Sequence, residues 1–290
     1  MMSQISYNDT ASLYLIPTPI GNLDDITIRS LNTLKEVDLV LCEDTRETGK
    51  LLSKYDIKKK LVSCHEFNED KVKAYVIEQL SKGMNIGLVT DQGTPIISDP
   101  GYVIVNEVIS NNYNVISLPG ATAFVPALTS SGISPSPFLF YGFLNAKDSK
   151  QKKELLGLKD YKYTMIFYES PHRLENTLKN MLEVLGNRKI SISREISKIH
   201  EEIYRDYIEN LIPIASSLKG EFVLIVDGNH EKVDYSDMTI IEHVNIYLED
   251  GISEKDAIKL VAKERNVAKS IIYKEYHNGK WLNETYCWIR

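Results

Sequence analysis

The sequence contains little cysteine and no long hydrophobic run. Its 290 residues include three cysteines, Cys42, Cys64 and Cys287, and no CxxC spacing. This predicts neither a disulfide framework nor a cysteine metal cluster, and it fits a reducing compartment. The first apolar run, 13–16, is far too short for a signal-peptide core or a membrane span. We therefore expect a cytoplasmic protein that is neither exported nor membrane-bound and that needs no metal.

Several familiar ligand-binding motifs are also missing. The chain has no GxGxxG, GxxxxGK[ST], GxSxG or HExxH. These absences disfavour a Rossmann dinucleotide enzyme, a P-loop NTPase, an α/β-hydrolase and a zincin.

Cationic charge is scarce in the first half of the chain. No Lys or Arg occurs from Gly83 to Asn145, and the whole chain has 34 Lys and Arg against 40 Asp and Glu, a net charge of −6. That total argues on its face against a polyanionic partner. By segment, however, the net charge is −5 for residues 1–144, +1 for 145–228 and −2 for 229–290. Basic character begins only at mid-chain, so any contact with a polyanion should depend on a local basic cleft.

Short β-rich runs alternate with amphipathic segments along most of the chain, which predicts an α/β fold. The predicted strands are 13–16, 39–42, 86–90, 115–118, 164–168, 190–194 and 222–226. The Pro- and Gly-dotted segment 134–144 is interpreted as a linker. The resulting division is an N-terminal α/β domain at 1–144, a second α/β domain at 145–228 and a helical tail at 229–290.

The tail has the pattern of a helix pair. Ser253 with Asp256 three residues later predicts a helix start, and Asn266 interrupts the apolar periodicity before a second short helix. Six basic and three acidic residues fall in 251–274. A helix-turn-helix-like unit is expected, either as an accessory surface for a polyanion or as a packing or dimerisation element.

Three loops rich in Gly, Pro and small polar residues follow predicted strands. They are 17–23 (PTPIGNL), 91–101 (DQGTPIISDPG) and 119–123 (PGATA). In open α/β sheets, ligands bind beyond the carboxyl ends of the strands, where small residues let the backbone approach the ligand. The loops therefore predict one small-molecule site, although any one of them alone is as readily explained as a turn.

Ordered motifs give the chain a strong resemblance to a known family. The strings PTPIGNL, CEDTR, VTDQGTPIISDPG, LPGATAFVPAL, YESPHR, ISREISKIHEE and GEFVLIVDG resemble, in order, ribosomal RNA small subunit methyltransferase I, which has the tetrapyrrole methylase fold. The resemblance runs from about residue 13 to 228, and the helical tail is also similar. It implies two α/β domains with S-adenosylmethionine in the cleft between them, a homodimer, and 2′-O-methylation of a cytidine ribose in the decoding region of 16S rRNA.

The resemblance also implies a set of cofactor-binding residues. They are Pro17, Asp91, Gly93, Thr94, Ile97, Gly120, Ala121, Thr122, Ala123, Tyr168, Glu221 and Phe222.

A ribose hydroxyl is a weak acid, so its methylation calls for a base or a polarising cation nearby. Glu43 and Glu169 rank first as catalytic bases because each abuts the end of a predicted strand. The RNA-binding candidates are Arg46, Lys150, Lys152, Lys153, His172, Arg173, Arg194 and Lys198.

Two other functions remain open at this point. One is a tetrapyrrole carbon methyltransferase, which would need cationic groups for propionates in an open cleft. The other is a non-catalytic nucleic-acid-binding regulator that reads its target through the C-terminal helices.

Overall fold

A computed structural model describes residues 3–6, 8, 10–65, 68–230, 235 and 237–286. Contacts divide the chain into two compact units, Met1–Asn229 and His230–Arg290.

The first sheet is parallel throughout and has the order β3-β2-β4-β1-β5. Its strands are β1 (Ser12–Leu15), β2 (Leu39–Cys42), β3 (Lys60–Ser63), β4 (Ile86–Leu88) and β5 (Asn114–Ser117). The crossovers are α1 (Ile28–Glu36), α2 (Thr45–Lys54), α3 (Glu69–Ser81) and α4 (Tyr102–Ser110). Every residue of β2 is buried, as a strand covered by helices on both faces requires.

The second sheet is mixed and has the order β6-β7-β10-β8-β9. Its strands are β6 (Phe138–Phe143), β7 (Thr164–Glu169), β8 (Lys189–Arg194), β9 (Glu202–Tyr207) and β10 (Phe222–Val226). β6 and β7 are parallel, and the other neighbours are antiparallel. The helices are α5 (Phe124–Ser130), α6 (Asp148–Gly157), α7 (Leu174–Leu185) and α8 (Ile208–Ala215). Residues of α6, α7 and α8 pack with one face of this sheet around the buried Phe167.

A separate apolar cluster joins the two sheets on the other face of the second one. Ile20, from the loop after β1, and Ala127 of α5 pack with Ile166, Ile196 and Ile225. Because these buried side chains connect the loops of the first sheet to the strands of the second, the two sheets face each other across a fixed contact.

The α/β architecture confirms the fold predicted from the sequence, but the proposed linker is wrong. Its residues 138–143 form β6, which pairs with β7. The proline residues that suggested a linker precede this strand, whereas its own sequence, FLFYGF, is aromatic and favours a strand. β6 thus belongs to the second sheet although it lies before residue 145. The division into domains at 144 and 228 stays a prediction.

The described residues of the C-terminal unit form three packed helices. They are α9 (Ile240–Glu249), α10 (Glu254–Glu264) and α11 (Lys269–Tyr286). The Ser253 hydroxyl accepts the Asp256 backbone N–H at 3.3 Å, so α10 begins where the sequence predicted a helix. Asn266 adopts φ 52° between α10 and α11, which confirms the predicted break. The second helix is longer than the short one expected.

Two of the three cysteines are visible as buried thiols. Cys42 lies in β2 and Cys64 follows β3. Burial raises the pKa of both, that of Cys64 to about 12. Such thiols stay protonated and unreactive near neutral pH. Cys287 lies outside the described residues.

Candidate functional site

A cavity of about 510 Å³ lies where loops of the two sheets meet. This volume is in the usual range for a small-molecule site. Residues from the ends of β2, β4 and β7, from the start of β10 and from the segment before α5 line it. The lining residues are Ile20, Glu43, Thr90, Asp91, Gln92, Gly93, Thr94, Ile97, Ser98, Asp99, Thr122, Ala123, Phe143, Tyr168, Glu169, Ser170, Pro171, Ile196, Glu221, Phe222 and Val223.

The three small-residue loops predicted from the sequence are tied directly to one another. Thr18 and Gly93 exchange backbone hydrogen bonds of 2.9 and 3.1 Å. The Thr94 hydroxyl donates to the Ala121 carbonyl at 2.9 Å, and 2.5 Å separates it from the Thr122 hydroxyl. These contacts hold the loops after β1, β4 and β5 together at one edge of the first sheet.

Gly120 lets two of these loops touch. A Cβ at this position would lie 2.4 Å from the Cβ of Pro17, far inside van der Waals contact. Any larger residue would therefore force the loop after β5 away from the loop after β1. Pro17, Gly120 and Ala121 do not line the cavity themselves but support the residues that do.

Nine of the twelve predicted cofactor-binding residues line the cavity. They are Asp91, Gly93, Thr94, Ile97, Thr122, Ala123, Tyr168, Glu221 and Phe222. The other three, Pro17, Gly120 and Ala121, form the supporting contacts just described. The structure thus brings the predicted set together, while its role in cofactor binding stays a prediction.

The charge of the cavity is one-sided. Glu43, Asp91, Asp99, Glu169 and Glu221 line it, and no Lys or Arg is among the described residues that do. Ile20, Ile97, Phe222 and Val223 supply apolar wall. A cavity of this kind suits a ligand with positive charge at one end and an apolar or aromatic body.

Three of these carboxylates lie around Thr90. Burial, together with the negative charges of Glu43 and Asp91 and against a hydrogen bond with the Thr90 hydroxyl, raises the pKa of Asp99 to about 6. The pKa of Glu43 is likewise raised, first by burial and then by Asp91, and burial raises that of Asp91. The repulsion is relieved when a carboxyl is protonated or when a cation binds.

Glu169, the second predicted base, is held by three donors. Its carboxylate accepts the Ser170 backbone N–H at 2.8 Å and the Thr177 hydroxyl at 2.6 Å, and it forms an ion pair with Arg173 Nε at 3.2 Å. Its side chain is 1% exposed. This geometry favours a structural role, because the three contacts hold the carboxylate in one orientation. A role for Glu169 as a base stays a prediction.

A buried chain of hydrogen bonds continues from Glu169 to α6. Thr177 accepts from the Gln151 amide at 3.0 Å, and Gln151 accepts from the Asn180 amide at 2.6 Å. Asn180 also donates to Asp148 at 2.7 Å. The cavity wall is thereby connected to the helix that carries Lys150, Lys152 and Lys153.

Most of the predicted RNA-binding residues already have charged partners. Arg46 pairs with Asp44 at 2.6 Å, Lys152 with Glu183 at 2.7 Å and Arg194 with Glu202 at 2.6 Å. Lys198 pairs with Glu195 and Glu221.

Arg173 donates to the carbonyls of Leu144 and Asn145, so it fixes the segment that leads to α6. Lys150, Lys153 and His172 are exposed. RNA binding by any of the predicted residues stays a prediction.

The sequence interpretation passed over Asp99 as an individual residue. It lies within the loop DQGTPIISDPG that had been singled out, and it is the second carboxylate of that loop. A signal was present, because two carboxylates in a predicted ligand loop rarely both face solvent without a role. Ile20 was also missed although it lies in the predicted loop PTPIGNL, and Phe143 and Ile196 were missed because they resemble core residues in sequence.

The described residues contain neither a membrane-spanning helix nor a metal site. No described helix is long and apolar enough to cross a membrane. No group of three or more His, Cys, Asp or Glu side chains in that part of the chain is arranged to hold a metal ion.

Comparison with known proteins gives consistent matches. The family described as Tetrapyrrole (Corrin/Porphyrin) Methylases matches residues 12–212. Ribosomal RNA small subunit methyltransferase I of Bacillus subtilis is 47% identical over 285 residues, covering 94% of this chain and 98% of that protein. Its counterpart in Halalkalibacterium halodurans is 46% identical over 287 residues, covering 96% of this chain and 99% of that one.

The fold has solved neighbours as well. The crystal structure of a uroporphyrin-III C-methyltransferase from Thermus thermophilus, complexed with S-adenosyl homocysteine, has a TM-score of 0.54 and 16% identity. The match covers 75% of this chain and 97% of that one. At this identity the likeness concerns the fold alone.

Proposed function

Because the chain belongs to the tetrapyrrole methylase family, in the branch of ribosomal RNA small subunit methyltransferase I, we propose that it is an S-adenosylmethionine-dependent rRNA methyltransferase. The proposed reaction is 2′-O-methylation of a cytidine ribose in the decoding region of 16S rRNA, within the small ribosomal subunit. The observation that carries the proposal is the acidic, partly apolar cavity on a chain so closely related to those methyltransferases.

The cavity fits the proposed cofactor on chemical grounds. S-adenosylmethionine carries a positive sulfonium and an ammonium, and its adenine is a flat apolar surface. Asp91 and Asp99 offer negative charge, while Ile97 and Phe222 offer apolar contact. The Gly93 backbone, at φ 86°, lets the loop after β4 turn close to the ligand space.

The reaction needs alignment and a path for one proton. When bound, S-adenosylmethionine supplies a methyl group activated by its positive sulfur. The chain's part is to orient that methyl group towards the ribose oxygen and to accept the hydroxyl proton. Burial raises the pKa of Tyr168 to about 12, so this hydroxyl stays protonated and can donate a hydrogen bond but not act as a base at neutral pH.

For the RNA side we propose that Lys150 and Lys153 contact phosphates. Both are exposed on α6, whose neighbouring Lys152 is already paired. The remaining predicted cations and His172 complete the proposed set of RNA contacts. A homodimer and a cytoplasmic location complete the proposal, and both rest on the resemblance of the sequence.

The favoured test supplies labelled S-adenosylmethionine together with purified small subunits that lack the modification. Label in a cytidine 2′-O-methyl group supports the proposal. Label only in a porphyrinoid acceptor would support a tetrapyrrole methylase instead, although no Lys or Arg among the described cavity residues offers a partner for propionates. Cofactor binding without transfer to either acceptor would indicate a regulator.

A further inference from the structure

Phe143, at the end of β6, is an aromatic residue of the cavity wall that is open to solvent. It is 53% exposed, whereas Phe222 and Val223 of the same wall are almost fully buried. Aromatic side chains are usually covered in a folded protein, because their large apolar surface stabilises the fold when it is buried. An exposed ring on the wall of a ligand cavity is therefore a candidate contact for a bound ligand.

A β-bulge turns Phe143 towards the cavity. Phe140 of β6 pairs with Ile166 of β7, and both pack in the cluster that joins the two sheets. The register then shifts, so that Phe143 pairs with Tyr168 and three steps along β6 match two along β7. Since side chains alternate between the two faces of a strand, a regular β6 would direct Phe143 to the face covered by α6, α7 and α8. The extra residue directs it to the cavity face instead.

Gly142 makes this bulge possible. It has φ 80°, a conformation that favours glycine, and a Cβ there would lie 3.0 Å from Ser98 Oγ in the loop after β4. Bulges are common next to active sites, where they change the direction of a side chain. The irregularity of β6 thus has a specific effect, which is to place one exposed ring among the residues that line the cavity.

The ring of Phe143 is packed against a second ring. The centroids of Phe143 and Tyr168 are 5.5 Å apart at an interplanar angle of 63°, and Tyr168 meets Phe140 in the same way at 5.2 Å and 73°. The backbone after Phe143 is also held, because Arg173 donates to the Leu144 carbonyl at 2.6 Å. A ring positioned in advance loses little conformational entropy when a flat ligand binds to it.

The surrounding charges determine which part of an RNA fits this place. Five carboxylates line the cavity and no described lining residue is Lys or Arg, so a phosphate group is disfavoured inside it. A nucleobase is flat and uncharged, and bases outside double helices commonly stack on aromatic side chains. Lys147, which is exposed, follows Phe143 by four residues, a backbone span of at most about 14 Å. Phosphates can therefore be bound outside the cavity while one base contacts its wall.

We propose that the ring of Phe143 is the platform on which the base of the target nucleotide stacks. This inference rests on the proposed function, and it gives Phe143 the role of positioning the ribose that is methylated, because that ribose is bonded directly to the stacked base. Stacking uses the face of a base and not its hydrogen-bonding edge. Phe143 therefore holds a nucleotide in place without selecting cytosine over other bases.

The test measures single-turnover methylation of unmodified small subunits at saturating S-adenosylmethionine and subsaturating subunits. Phe143→Leu keeps an apolar side chain but removes the flat ring, so its rate should fall about 10- to 100-fold. Phe143→Tyr keeps the ring and should stay within about threefold of wild type. Phe138→Leu is the matched control, since Phe138 is 42% exposed at the other end of β6 and is not among the described residues that line the cavity. Its rate should equal that of wild type.

A substrate that lacks the target base separates stacking from general damage to the cavity. Small subunits are reconstituted with 16S rRNA that carries an abasic ribose at the target position. Wild type should lose about as much rate on this substrate as Phe143→Leu loses on the normal one, and the variant should lose little more, because both changes remove the same contact. The affinity for S-adenosylhomocysteine, measured by calorimetry, should change less than about twofold in both Phe143 variants.

Four results overturn the stacking role alone. They are an unchanged rate in Phe143→Leu, rate losses that add fully on the abasic substrate, a loss of S-adenosylhomocysteine affinity large enough to explain the lower rate, and a change of oligomeric state in sedimentation. The third would make Phe143 a cofactor contact, and the fourth would make it part of a subunit interface. If wild type methylates no rRNA although it binds S-adenosylhomocysteine, the proposed function itself is wrong, and this inference is wrong with it.

Discussion

The cavity and the surroundings of the second sheet differ in how their charged side chains are paired. Five carboxylates line the cavity, and two of them form ion pairs, Glu169 with Arg173 and Glu221 with Lys198. Around the second sheet, Lys152, Arg194 and Lys198 each lie within 2.7 Å of a carboxylate oxygen. The unbalanced charge of this protein is therefore inside the proposed small-ligand site, while most of the predicted RNA-binding cations are neutralised locally.

This difference explains how an acidic chain is compatible with an RNA substrate. Paired cations contribute little to the long-range field, so they steer RNA weakly. They still offer donors at short range, when a phosphate replaces or joins the carboxylate partner. The net charge of the chain, −6, therefore describes neither the cavity nor the predicted RNA-binding residues.

The largest effect should come from reversing one charge in the cavity. Asp91→Lys places a cation among carboxylates that are expected to face the positive sulfur, and it should weaken S-adenosylmethionine binding on the order of 100-fold. S-adenosylhomocysteine should be affected less, because its sulfur is neutral. Calorimetric titration of both ligands measures the difference. The control is Glu36→Lys, which makes the same kind of charge reversal at an exposed residue of α1. Equal losses of affinity for the two ligands in Asp91→Lys would contradict the charge argument.

A second effect concerns stability. Burial raises the folded-state pKa of Asp99 to about 6, above the ordinary value of 3.8, so this residue contributes stability below pH 4 that is lost as pH rises through 6. Asp99→Asn removes that loss. Because solvent screens part of this effect, the free energy of unfolding of Asp99→Asn should exceed that of wild type by about 1 kcal/mol at pH 7.5, and the difference should shrink as pH falls towards 4.

Urea unfolding at the two pH values checks this expectation. A variant that is less stable than wild type at pH 7.5 would show that Asp99 is better solvated than its surroundings indicate.

The smallest effect should come from the exposed lysines of α6. Lys150→Glu combined with Lys153→Glu should weaken binding of small subunits about tenfold at low salt and leave S-adenosylhomocysteine binding unchanged. Lys71→Glu on α3 is the matched control. An affinity unchanged within error would remove α6 from the RNA interface, and a steep salt dependence in wild type would contradict the weak steering inferred above.

The architecture could largely be predicted because strands of the first sheet are continuous apolar runs. β2, LVLC, is one such run and was predicted with its observed bounds. β9 was missed because three of its six residues, EIYRDY, are charged, and β3 was missed because Lys58 and Lys59 precede it and Lys60 begins it. Edge strands have one exposed face or side, so their sequences resemble those of charged loops.

The sequence predicted which loops form the site, but it did not predict how the environments of the site's carboxylates differ. Small residues in PTPIGNL and PGATA indicated close backbone approach, and Gly120 shows that approach against Pro17. The distinction between Glu43, Glu169 and Asp99 depends on tertiary partners: Thr177 and Arg173 beside one carboxylate, and a shared Thr90 between the other two. Such partners are distant in sequence, so spacing alone does not reveal them.

The hydrogen-bonded chain from Glu169 through Thr177, Gln151 and Asn180 has a consequence for how this protein can vary over evolutionary time. Each member satisfies its neighbour, so one replacement leaves a buried polar atom without a partner at a cost of about 1–3 kcal/mol. Substitutions at these positions should therefore occur in compensating pairs. Chimaeras that exchange α6 without α7 should lose hydrogen bonds between the two helices, because residues from different proteins would then have to pair.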